Sequence, residues 1–344
     1  MVKLIPIQHD IKEQIMATLP KKSIIPILLI IVFLLWIMSI WSGWMPSTFD
    51  VKAKTQEAAT ASNSEIVPGY ATTTTLIDVT SWLVDKRGGF LSNDVTPPGF
   101  FMDNMPAFEY GVLEQVRDLA LVMRLDFSRS QSQSTGDKDL EIAQNKMNIS
   151  HTNWVLPSAE SEYKDAIKAF KRYRARLSAT DQTEAQFYTR ADNLSDWLRE
   201  IEKRLGSISQ NLSASVGNDI FDTNLAGDTS AKQSTASADE IEIKTNWFKI
   251  DDVFYQSRGS TWAILHFLKA VEIDFQDVLE KKNAQVSLKQ IIRDLEATQQ
   301  AVWSPMVLNG NGFGFLANHS LVMANYVSRA NAALIDLRRL LEQG

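Results

Sequence analysis

From Ile24 to Trp44 the chain runs 21 residues without a charged side chain. As a helix rising about 1.5 Å per residue, that stretch reaches about 30 Å, the thickness of a bilayer's hydrocarbon core. A cleaved signal peptide carries a shorter apolar core, roughly 7–15 residues, followed at once by small residues. Here Trp36, Trp41, Trp44 and Met45 occupy that region, and the nearest Ala-x-Ala is downstream at Ala59-Thr60-Ala61. The pattern predicts an uncleaved signal anchor over 24–45, with the bilayer as its partner. Lys21 and Lys22 would sit at its proximal interface, and Trp41 and Trp44 at its distal one, where indole rings favour the headgroup level. Pro26 falls in the first turn, where its missing amide hydrogen is tolerated.

Orientation follows from the flanks. Lys3, Lys12, Lys21 and Lys22 precede the stretch, against Lys52 and Lys54 in the twenty residues after it, which predicts a cytoplasmic tail over 1–23. The chain has no cysteine, so it needs neither a reducing compartment nor a disulfide scaffold. Both features fit a single-pass protein of the bacterial inner membrane whose body faces the periplasm. Beyond residue 23 there are 31 Lys and Arg against 39 Asp and Glu, a balance that offers no basic footprint for nucleic acid.

The body reads as all-α, a multi-helix bundle. Residues 46–65, rich in Ala, Thr and Ser, predict a flexible stalk. A helical subdomain over 66–212 follows. Leu76, Val79 and Leu83 share one helical face ahead of Gly88-Gly89. A second helix is expected to open near Asn104, with Pro106 in first position and Phe108, Val112, Val116, Leu119, Met123 and Phe127 inward. Another, about 160–177, aligns Tyr163, Ile167, Phe170, Tyr173 and Leu177. Asp181 and Glu184 have the form of a capping box opening a helix with Leu194, Trp197, Leu198, Ile201, Leu205 and Ile208 inward. These two helices are expected to form an antiparallel hairpin. The Gly, Ser, Thr and Asp of 213–240 predict a polar mobile loop. A second helical subdomain over 241–344 packs with the first: a helix from Ile250 to about Val278, another around Ile291 and Leu295, and a last one carrying Leu321, Val327, Leu334 and Leu341. No β alternation of any length is visible.

Chemistry is sparse. His9, His151, His266 and His319 are far apart in the chain and lack zinc-site spacing; no metal or cofactor is expected, and His266 reads as a half-buried helix residue. There is no Gly-x-Ser-x-Gly elbow. "NGNGFGF", Asn309 to Phe315, lacks a P-loop's Gly-Lys ending and reads as a turn between helices. Glu109, Glu114, Asp94 and Asp103 are candidate acids for hydrolysis of a cell-wall polymer, and Arg124 and Arg129 for holding an anionic one. No catalytic set can be assigned from the residues alone. An interaction or structural protein of the envelope, binding another envelope protein, is the leading expectation; a periplasmic hydrolase using a carboxylate general acid is the alternative.

The runs "VPGYATTTTLIDVTSWLVDKRGGFLSNDVTPPGFFMDNMPAFEYGVL", "DFSRSQSQS", "AQFYTRADNL", "NLAGDTSAKQST", "DDVFYQSRGSTWAILHFLKA" and "NGNGFGFLANHSLVMANY" resemble proteobacterial inner-membrane proteins grouped as a family of unknown function. The resemblance covers nearly the whole chain. It implies a single-span, membrane-anchored envelope protein, and carries over no catalytic or ligand-binding residue.

Overall fold

The computed structural model describes residues 21–42, 44–95, 102–130, 136–179, 185–221, 240–304, 306–310 and 315–343. Helix α1 spans Lys21–Ser42. Of its described side chains, Pro26 to Ile37, all are exposed except Leu35, which is partly covered. Among the described residues no helix is long and apolar enough to cross a membrane; the expected span 24–45 extends past those side chains at both ends.

The segment expected as a flexible stalk is instead a helix, α2 (Val51–Ser62), and it belongs to the body. The Asp50 carboxylate caps it by accepting from the Ala53 amide at 3.1 Å. Val51, Thr55 and Ala59 are buried, and Val51 packs with Ala71 and Ala270. These inward positions recur every four residues, but two are Thr and Ala, so the apolar period is nearly silent in sequence.

Helix α3 (Tyr70–Asp85) opens at Gly69, whose φ of 87° is open to glycine and strained for other residues. The Asp274 carboxylate closes that end, accepting from the Thr72 amide at 2.7 Å and its hydroxyl at 2.6 Å. Helix α4 (Asn104–Val122) starts where expected, with Pro106 in its third position, and runs into a π-helical turn over Met123–Phe127. All six of its expected inward residues are buried. Helix α5 (Lys138–Met147) was hidden in a polar stretch; the Asp137 carboxylate caps it, and Leu140, Ala143 and Met147 face the core. Helix α6 spans Ala159–Leu177.

Helix α7 (Ala191–Ser213) begins after the expected capping box, whose Asp181 and Glu184 lie outside the described residues. Residues 185–190 are not helical and run beside the π turn, where the Tyr188 amide donates to the Phe127 carbonyl at 2.7 Å. The expected α6–α7 hairpin is accordingly not formed: α6 packs on α3 and α5, and α7 on the last helix. Two four-residue antiparallel strands, β1 (Asn218–Phe221) and β2 (Glu240–Ile243), flank the segment expected as a loop, whose middle lies outside the described residues.

Helix α8 (Ile250–Asp274) breaks at Phe275 before α9 (Gln276–Lys281), and α10 (Gln285–Ala297) and α11 (His319–Glu342) complete the bundle. The axis of the fold is the α4–α8 pair. A Cβ on Gly111 would overlap the Gln256 carbonyl, and one on Gly259 the Phe108 carbonyl, so the two backbones touch. The Ser260 hydroxyl seals the crossing by donating to the Gly111 carbonyl at 3.1 Å. One apolar cluster runs through α3 to α8 and on to α11; the two expected subdomains share a single core.

Candidate functional site

Residues 44–49, between α1 and α2, lie against α8 through two side chains. The Trp262 indole donates to the Ser47 carbonyl at 3.2 Å. The His266 Nε2 accepts from the Phe49 amide at 3.0 Å, which leaves Nδ1 to carry the proton and donate to the Trp262 carbonyl at 2.7 Å. Phe49 stacks on the imidazole, ring centroids 4.0 Å apart. His266 is therefore not half-buried but wholly enclosed, and burial pushes its pKa down to about 4.

Beside this clamp lies a cleft of about 1350 Å3 between residues 44–49, α3, the first half of α8 and the chain after α10. Its floor is aromatic: Trp82 and Trp262 sit 5.4 Å apart, and Trp82 also meets Phe108 at 5.4 Å. Two charged groups stand on its walls with capacity to spare. Arg258 donates to the Gln299 carbonyl at 2.9 Å and meets no carboxylate among the described residues; burial pushes its pKa down. Asp78 has one buried oxygen without a hydrogen-bond partner, and burial raises its pKa. A cation with no carboxylate partner among the described residues and an under-satisfied carboxylate, in a cleft floored by indole rings, can receive a ligand that presents donors, acceptors and apolar surface together. Trp44 lines this cleft and is exposed; the side chains of Lys21, Lys22 and Trp41 lie outside the described residues.

The candidate acids are not brought together. Glu109 is fully buried and paired with Lys86. Its carboxylate also accepts from the Leu91 amide at 2.9 Å, the Ser92 amide at 2.8 Å and the Ser92 hydroxyl at 2.6 Å. Burial raises its pKa against the pull of those donors. With both oxygens engaged and no path to solvent, Glu109 holds the turn after α3 to α4. Glu114 is bound to Arg204 at 3.2 Å and Gln256 at 3.2 Å, Asp103 caps α4, and Asp94 is exposed. Arg124 is taken by Gln144 at 2.8 Å and Glu141 at 3.5 Å. His151 lies against Tyr110, and the His319 Nδ1 accepts from the Leu308 amide at 3.0 Å. Of "NGNGFGF", Asn309 pairs with Asn318 across the loop, and 311–314 lie outside the described residues. Sequence reasoning passed over Arg258 and Asp78; the available signal was an arginine beside the small residues Gly259 and Ser260, directly ahead of the apolar run Trp262–Leu268 broken only by His266.

A family model described as an uncharacterized protein conserved in bacteria (DUF2333) matches residues 12–344. The chain belongs to this family. Neither curated proteins nor solved structures gave a match. Membership spans the clamp and the cleft alike, and leaves their role to be read from the geometry.

Proposed function

We propose that the chain is a single-pass protein of the bacterial inner membrane, tail cytoplasmic and body periplasmic, that works as an interaction component of the cell envelope by gripping a segment of a partner protein in the cleft. Arg258, without a carboxylate partner among the described residues, and the open Asp78 oxygen, in one cleft with an aromatic floor, carry this reading, because a peptide segment supplies an acceptor, a donor and apolar side chains at once. The anchor is supported by the side chains of α1 from Pro26 to Ile37, all apolar and all exposed except the partly covered Leu35, a pattern suited to lipid.

Two measurements test it. Leu34→Arg with Leu35→Arg adds about 5–7 kcal/mol at the centre of a span and is expected to release the protein from carbonate-washed inner membrane; retention of the double variant refutes the anchor. A photo-crosslinking residue at Asp85, on the cleft, is expected to give a discrete envelope-protein adduct in cells that the same residue at Asp336, on α11, does not. Identical adduct patterns at both positions would refute the cleft as the binding site.

A further inference from the structure

We infer that one end of the helical body is a second membrane contact, an aromatic plate that rests in the headgroup layer around the point where α1 emerges. The inference rests on the proposed anchor. Exposed indoles mark the plate: Trp44, Trp154, Trp247 and Trp303 are all exposed, and no other tryptophan of the described body is. Topology gathers them. Trp44 lines the cleft with Tyr255 of α8 and with Val302, next to Trp303. Trp247 stands one turn ahead of α8. Trp154 follows Asn153, whose carbonyl accepts from Asn93 at 3.2 Å, and Ser92 is tied to the same Glu109 that Lys86 of the cleft engages.

Phe315 and Leu316, both exposed, join them. They precede α11, whose first residue His319 meets Phe254 in the second turn of α8, ring centroids 6.5 Å apart. The ends of α3 and α10 and the starts of α4, α6, α8 and α11 thus meet in one place. An exposed apolar surface of this kind marks a partner or a membrane. The bilayer is the occupant that fits, because Trp44 comes two residues after α1 and is itself part of the plate, and because the clamp on Ser47 and Phe49 fixes this end beside that exit. Indole is also the side chain best suited to a layer apolar on one side and wet on the other. Charges of both signs lie at the same end, Asp94 and Asp103 with Arg87 and Lys249, so headgroup charge adds little net attraction or repulsion and the contact should be insensitive to it.

The chain contains no cysteine, so single labels can be placed on the full-length protein in lipid nanodiscs. An environment-sensitive fluorophore at Trp303→Cys and at Trp247→Cys is expected to be quenched by headgroup-spin-labelled lipid several-fold more than one at Asp336→Cys, in neutral and anionic discs alike. Quenching at Leu34→Cys, read with acyl-chain-labelled lipid, reports the anchor separately. If Leu34 is quenched while Trp303 and Trp247 match Asp336, the plate is refuted and the anchor stands. If none is quenched, both fall. Shielding from water at Trp303 and Trp247 without lipid quenching would assign the surface to a protein and equally refute the plate.

Discussion

Lys86 and Glu109 are nearly or wholly buried, and each satisfies the other. Lys86 also reaches the Gly89 carbonyl and lies 5.6 Å from the Trp82 ring centroid, so the pair ties the turn after α3 to α4 and to the cleft floor at once. Removing one member strands a charge without solvent. Lys86→Met is expected to cost about 3–5 kcal/mol in chemical denaturation, and Lys86→Met with Glu109→Gln to recover a substantial part of that loss. His266 supplies a pH test. It is neutral in the fold with a pKa of about 4, against 6.5 in an unfolded chain. The unfolded state therefore binds the proton first, and stability present above pH 6.5 is lost as pH falls toward 4, by about 3 kcal/mol for this group. Asp274, held up at about 6 by burial, acts in the opposite sense between that pH and 3.8, so the total can look flat. The difference between the parent and His266→Gln isolates the histidine: the parent's advantage should shrink across that window, and a constant difference would contradict the assignment.

At the scale of elements, the α4–α8 crossing depends on two glycines set against opposing carbonyls. Gly111→Ala or Gly259→Ala must push the helices apart and is expected to cost about 3 kcal/mol or more. Gly206→Ala, in α7, meets only Asn331 at 3.8 Å and should stabilise by about 0.5–1 kcal/mol; thermal melts separate the two classes. The long helices were legible because large apolar residues recur at helical spacing, as Phe108, Val112, Val116 and Leu119 do in α4. Helices α2 and α5 were not: α2 buries Thr55 and Ala59 where large apolar residues would mark a period, and the ten-residue α5 buries only Leu140 and Met147 as large apolar side chains, too few to stand out. The cleft was less legible still: its lining comes from residues 44–49, 78–87, 255–262 and 299–302, and which distant segments meet is a tertiary fact.

Considered whole, the body is built on one core despite the long polar insert between β1 and β2. Leu194, Leu198 and Leu205 from before that insert share a cluster with Leu334, Leu337 and Leu341 from after it. Cutting the chain at a specific protease site engineered within 222–239 is therefore expected to leave two fragments that co-elute and melt in a single transition; separation under native conditions would restore the two-domain reading. The clamp has a mechanical consequence. Any pull on the chain ahead of Ser47 is delivered through the Trp262 and His266 hydrogen bonds to the middle of α8, the longest helix among the described residues. Those contacts must give way before the load reaches α2, the next element of the chain. A protease drawing the chain in from its amino-terminal side would meet its greatest resistance at the first step, whereas one entering at the carboxyl terminus could unzip α11 turn by turn.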